Sequence, residues 1–117
     1  MSLILFHNPR CSKSRETLAL LEQRHIHPKI ELYLQNTYTP AELQHLADKL
    51  GISDVRQMMR TKDVLYDELG LDNPNMSQEA LLQAISQHSS LLERPILING
   101  NKAKIGRPPE SVLAILD

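Results

Sequence analysis

The chain carries one cysteine, Cys11, inside the run His7-Asn8-Pro9-Arg10-Cys11-Ser12-Lys13-Ser14-Arg15. It follows a short apolar stretch and opens an amphipathic one, so it should sit at the start of a helix. Backbone N–H groups there favour anions. A thiol so placed can have its pKa lowered from about 8.5 into the range of roughly 3.5 to 7.5. Arg10, Lys13 and Arg15 flank it, with no acid before Glu16. Ser12 and Ser14 offer hydroxyls, and His7, at the end of the apolar run, faces the same loop. The chemistry predicted is that of an activated sulfur with an anion beside it. A lone cysteine is more often a small buried hydrophobe, but this one lies in a polar, basic turn. For His7, supporting the loop and taking part in chemistry are equal alternatives.

Three arginines are candidates to hold such an anion. Arg94 precedes Pro95 and Arg107 precedes Pro108, and a residue before proline is confined to extended backbone. Arg60 follows a helical piece, Val55 to Met59. Arg24 and Arg56 are read as solvated charges, and His25, His27, His45 and His88 as solvated imidazoles. One thiol excludes an internal disulfide, a CxxC redox pair and a multi-thiolate zinc site. His25 and His27 have no cysteine or carboxylate at ligand spacing, so no metal is expected; no bound cofactor is expected either.

The elements that must position these residues follow from the pattern. Leu3-Ile4-Leu5-Phe6-His7 reads as a buried strand ended by Asn8-Pro9. A helix with Leu18, Leu20 and Leu21 on its apolar stripe runs to Gln23. Lys29 to Tyr33 alternates and reads as a second strand, completing a βαβ unit. Thr39-Pro40-Ala41-Glu42 combines an N-cap, a first-turn proline and a capping glutamate. Leu43, Leu46, Ala47 and Leu50 form that helix's stripe and Gly51 its C-cap. Helical pieces are expected at Asp54–Met59, at Val64–Leu69 before Gly70, and from Ser77 through Gln87. Ile96-Leu97-Ile98, a turn at Asn99-Gly100, and Asn101 through Ile105 read as a hairpin. Pro108-Pro109-Glu110 opens a last helix, with Val112, Ile115 and Leu116 on one face. The expected class is α/β: βαβ…ββα, a mixed four-stranded sheet, in a single domain spanning 1–117 with a helical insertion at about 37–90.

Composition narrows the partners. The chain has 117 residues, 13 Lys and Arg against 14 Asp and Glu, one Phe, three Tyr and no Trp. There is no net positive field for nucleic acid or anionic membrane and no base-stacking platform. No apolar run approaches the roughly 20 residues of a membrane span. The N-terminus Met1-Ser2-Leu3-Ile4-Leu5-Phe6 has no basic stretch, so no signal peptide is expected. The expected location is the reducing cytoplasm, where a lone thiol stays free.

The Cys11 motif, with Thr17-Leu18 after it, strongly resembles the signature of the glutaredoxin-coupled arsenate reductases. Met59-Arg60, Leu92-Glu93-Arg94-Pro95-Ile96 and Ile105-Gly106-Arg107-Pro108-Pro109 match the same family in order and spacing. Ser12-Lys13 stands where its plasmid-borne members carry Gly-Thr, and looks like a chromosomal branch. The resemblance implies a thioredoxin-like fold, a catalytic Cys11, an oxyanion site of Arg60, Arg94 and Arg107, supporting roles for His7 and Ser14, and a cis Arg94–Pro95 bond facing the thiol. Arsenate, a phosphate-like oxyanion, would be the substrate, with glutathione as co-substrate and glutaredoxin as partner. The chemistry agrees: guanidinium forks bind tetrahedral oxyanions, and one thiol needs an external thiol to deliver two electrons.

Two other readings stay open. Spx-type regulators share the fold and contact RNA polymerase, but their CxxC switch would need a cysteine where Ser14 stands. A glutathione-dependent thiol oxidoreductase would use the arginines for another anion. The phosphatase type of arsenate reductase needs Cys-x5-Arg, and the residue six after Cys11 is Thr17.

Overall fold

The computed structural model describes residues 3–116. Met1, Ser2 and Asp117, which the expectations about the N-terminus and a 1–117 domain include, lie outside the described residues. The chain divides into two compact units, one made of the segments up to Gln35 and from Arg94 onward, the other of Asn36–Glu93.

The first unit holds the expected mixed four-stranded sheet, in the order β2-β1-β3-β4. Its strands are β1 (Leu3–Phe6), β2 (Lys29–Glu31), β3 (Ile96–Asn99) and β4 (Lys102–Ile105). β2 runs parallel to β1; β3 is antiparallel to both β1 and β4. The apolar run of β1 is continuous because it is a central strand. Leu5 and Leu97 pair across β1 and β3 and project to one face. There they pack with Leu21, Val112 and Ile115, edged by Leu3, Leu18, Ile26 and Leu116. Helix α1 (Ser12–Gln23) and the C-terminal segment thus cover that face.

Four local expectations are corrected. β2 stops at Glu31 rather than Tyr33, because its partner β1 ends at Phe6, opposite Glu31. The chain then folds into a 3₁₀ turn, Tyr33–Gln35, that buries Tyr33 and stacks it on Phe6 at 6.1 Å between ring centres. The hairpin pairs Asn99 with Lys102, so its two loop residues are Gly100 and Asn101. Gly100 alone of the pair has positive φ, +59°, the pattern of a type II′ turn rather than of an Asn-Gly type I′ turn. The last helix is 3₁₀, Pro109–Ile115, with Val112 and Ile115 buried one three-residue turn apart. His25 does more than face solvent: at φ 61° it ends α1 in the left-handed region. Ile26 N–H then returns to Leu21 O at 2.9 Å, and Ile26 packs with Leu21 in the core, a Schellman closure.

The second unit contains α2 (Pro40–Leu50), a 3₁₀ turn at Val55–Met58, α3 (Val64–Glu68), α4 (Gln78–Gln87) and a 3₁₀ turn at Ser89–Leu91. The capping box of α2 forms as read: Glu42 N–H donates to Thr39 Oγ1 at 3.1 Å and Thr39 N–H to Glu42 Oε1 at 3.0 Å. Gly51 closes the helix at φ +72°. Leu43, Leu46 and Ala47 of α2 and Leu81, Leu82 and Ile85 of α4 are buried. Arg56 is not a solvated charge. Its guanidinium donates to Tyr66 Oη at 3.1 Å, Leu71 O at 3.0 Å and Asn73 O at 2.8 Å. It ties together the turn after α3, where the Leu71 and Asn73 carbonyls lie beyond the helix end. Among the described residues, no helix is long and apolar enough to cross a membrane.

Candidate active site

The site in the first unit is built around the β1–α1 turn. Cys11 is the N-cap of α1, with extended backbone at φ −94° and ψ 125°. Its amide donates to Asn8 O at 3.0 Å, and Arg10 N–H donates to Asn8 Oδ1 at 3.0 Å. A second strap comes from the buried Ser14. Its Oγ accepts the Asn8 N–H at 3.0 Å and lies 2.6 Å from His7 Nδ1. With the imidazole proton on Nε2, the Ser14 hydroxyl donates to Nδ1, which uses both its donor and acceptor capacity. Burial, with the Arg15 charge second, lowers the His7 pKa and favours that neutral ring.

Of the candidate arginines, the two in the first unit act on the sulfur, Arg107 by contact and Arg94 through its charge. Arg107 Nη2 donates to Cys11 Sγ at 3.7 Å, while its Nε donates to Arg94 O at 2.9 Å. One guanidinium therefore bridges the thiol and the main chain of the other arginine. The Arg94–Pro95 bond is cis, as expected; Arg107–Pro108 is cis as well. Cys11 is partly exposed. Burial is the largest influence on its thiol and raises the pKa. The Ser14 N–H, the Arg94 charge, the Lys13 N–H and the Arg107 charge together outweigh it, so the net shift is downward.

This corrects one expectation about the source of that charge. Of the three flanking cations, Lys13 pairs with Glu16 at 3.3 Å and Arg15 donates to Pro9 O at 2.9 Å. The charges that lower the Cys11 pKa are those of Arg94 and Arg107. The effective cations come from the far end of the sequence. Arg60 belongs to the helical unit, where its Nη1 lies 3.1 Å from Asp63 Oδ2.

Gly106 is a participant that the sequence reading quoted only as part of a motif. Its N–H donates to Pro95 O at 2.8 Å. A Cβ there would stand 2.7 Å from Thr17 Oγ1 and 2.8 Å from Pro95 Cγ. Thr17, fully buried on α1, donates its hydroxyl to Lys13 O at 2.8 Å. Only a residue without a side chain lets the two proline-linked segments approach α1 this closely. The signal was the glycine directly before Arg107. Among the described residues, no group of three His, Cys, Asp or Glu is placed to hold a metal ion.

The geometry has counterparts in known proteins. A model of the ArsC family matches residues 6–115. An arsenate reductase of Haemophilus influenzae is 69% identical over 116 residues, covering 99% of this chain and 100% of that protein. One of Neisseria meningitidis serogroup A is 53% identical over 112 residues, covering 96% of each. The solved structure of an arsenate reductase from Vibrio cholerae superposes with a TM-score of 0.96 at 49% identity, covering 99% of this chain and 98% of that one.

Proposed function

The chain belongs to the ArsC family and has its thioredoxin-like fold, and from that premise we propose that it reduces arsenate to arsenite with Cys11 as nucleophile. The observation that carries the reading is the Arg107 guanidinium on the Cys11 sulfur at 3.7 Å. It both stabilises a thiolate and offers an oxyanion fork where that thiolate would attack. Arg94 supplies a second guanidinium and Arg60, from the helical unit, the third. His7 and Ser14 fix the loop so that the Ser14 and Lys13 amides stay on the sulfur.

The reaction balances as follows. The Cys11 thiolate attacks As(V), an As–S bond forms and water leaves after protonation of an arsenate oxygen. Glutathione thiolate then attacks the Cys11 sulfur. A disulfide forms, the As–S bonding pair stays on arsenic, and arsenic becomes As(III) and departs as arsenite. The resulting Cys11–glutathione disulfide is reduced by glutaredoxin through thiol–disulfide exchange. The external thiols are required because Cys11 is the chain's one cysteine, and the need for a reduced glutathione pool supports a cytoplasmic setting. In this reading the chain works as one domain, with the helical unit as an insertion between the two halves of the sheet.

Arsenite formation with glutathione and glutaredoxin tests it. Cys11→Ser should abolish turnover. Arg94→Lys and Arg107→Lys should each lower the rate roughly 100- to 1000-fold, the typical loss of one oxyanion donor, because an ammonium is a point charge without a fork. Near-full activity in both lysine variants would overturn the oxyanion assignment.

A further inference from the structure

We propose that Asp63 is a positioning residue for the Arg60 guanidinium; the inference rests on reading Arg60 as an oxyanion-binding residue. Asp63 is the N-cap of α3, and its two carboxylate oxygens have separate tasks. Oδ1 accepts the Leu65 N–H at 2.9 Å. Oδ2 pairs with Arg60 Nη1 at 3.1 Å. The Asp63 N–H also donates to Arg60 O at 3.1 Å, so the four residues from 60 to 63 close a tight turn. The helix end therefore fixes the carboxylate, and the carboxylate fixes the guanidinium.

The main chain of Arg60 is held independently. Met59 bridges Leu92 in antiparallel fashion. Arg60 N–H donates to Leu91 O and Glu93 N–H to Met58 O, both at 2.8 Å. With the backbone anchored on one side and Nη1 on the other, little side-chain freedom remains to be lost when an anion binds. The tie uses a single nitrogen. Among the described residues, Nε and Nη2 make no hydrogen bond, and these two carry the parallel N–H pair that donates to two oxygens of a tetrahedral anion. An oxyanion can thus occupy the Nε–Nη2 edge while Asp63 remains on Nη1.

Asp63→Asn separates the two tasks. Asparagine is a good N-cap, so Oδ1 keeps the Leu65 N–H, but its NH₂ then meets the Arg60 donor and the tie is lost. Asp63→Ser likewise keeps a capping oxygen and has no second one. The measurements are the arsenate concentration that half-protects Cys11 from iodoacetamide and the steady-state constants for arsenite formation. In both variants the half-protecting concentration and KM should rise about fivefold, the scale of a partly exposed ion pair, with kcat changing less than about twofold. In an Arg60→Ala background, Asp63→Asn should add nothing.

Unchanged or tighter arsenate protection in both Asp63 variants, while Arg60→Ala weakens it, overturns the positioning role alone. An equal effect of Asp63→Asn with and without Arg60 overturns it too, since the effect would then be general to the helix end. If Arg60→Ala itself leaves protection unchanged, the oxyanion role of Arg60 fails and this inference falls with it.

Discussion

A thiol at the N-cap of a helix ionises more readily only if the amides and charges aimed at it exceed the cost of removing it from water. At Cys11 the cost is real, because burial is the largest single influence and opposes ionisation. The balance is turned by two amides of α1 and two guanidiniums, so the thiol should titrate below its ordinary value. Iodoacetamide reactivity followed against pH should give a midpoint below about 8.5. Replacing Arg107 with glutamine should move that midpoint upward, since it removes the charge 3.7 Å from the sulfur. A midpoint at or above the free-thiol value would show that burial prevails. What was legible here was the placement of Cys11, since helix-start position and a polar, basic turn are local signals. The source of its stabilisation was not. Lys13 and Arg15 are near in sequence but are engaged by Glu16 and by Pro9 O, whereas the charges of Arg94 and Arg107 are brought to the sulfur only by strand pairing.

The element that makes this possible is the close approach of the Gly106 segment to α1 and to Pro95. A methyl at Gly106 meets Thr17 Oγ1 and Pro95 Cγ at distances no Cβ tolerates, so a neighbour must shift. Gly106→Ala should destabilise the protein by about 1–3 kcal/mol, the usual cost of overpacking, and lower activity beyond what the stability loss explains, because Arg107 is the next residue. Denaturant titration and turnover measure the two effects. Thr17→Ala should recover part of the loss in the double variant by removing one of the two clashes. Elements specified by their own residues were legible: Thr39, Pro40, Glu42 and Gly51 define both ends of α2 without outside help. Elements decided by a partner were not. β2 ends where β1 ends, the hairpin loop is shifted one residue by cross-strand register, and Arg56 is absorbed by carbonyls 15 and 17 residues away.

At the scale of the whole molecule, the protonation of His7 links the site to folding. Its pKa is lowered in the fold, by burial first and then by Arg15, from an ordinary value of 6.5. Below that value the unfolded chain binds the proton more readily than the native one, so stability rises with pH in this window. The His7 contribution should be complete above about pH 6.5 and be lost as pH falls through the folded value. Chemical denaturation across pH 7.5 to 5 should show the slope, and His7→Gln should flatten it; a wild-type profile as flat as the variant's would contradict the assignment. Cys11 has the same sign in a higher window, its contribution present above the free-thiol pKa and lost as pH falls through the lowered one. The solitary thiol has a further consequence. A chain with one thiol cannot close a disulfide on itself, so every disulfide state it can reach is a covalent union with another molecule. Its oxidation level is accordingly a matter of concentration and encounter. Diluting the chain away from other thiols freezes it in whichever state it last held, and a single mass measurement on the intact polypeptide reads that state directly.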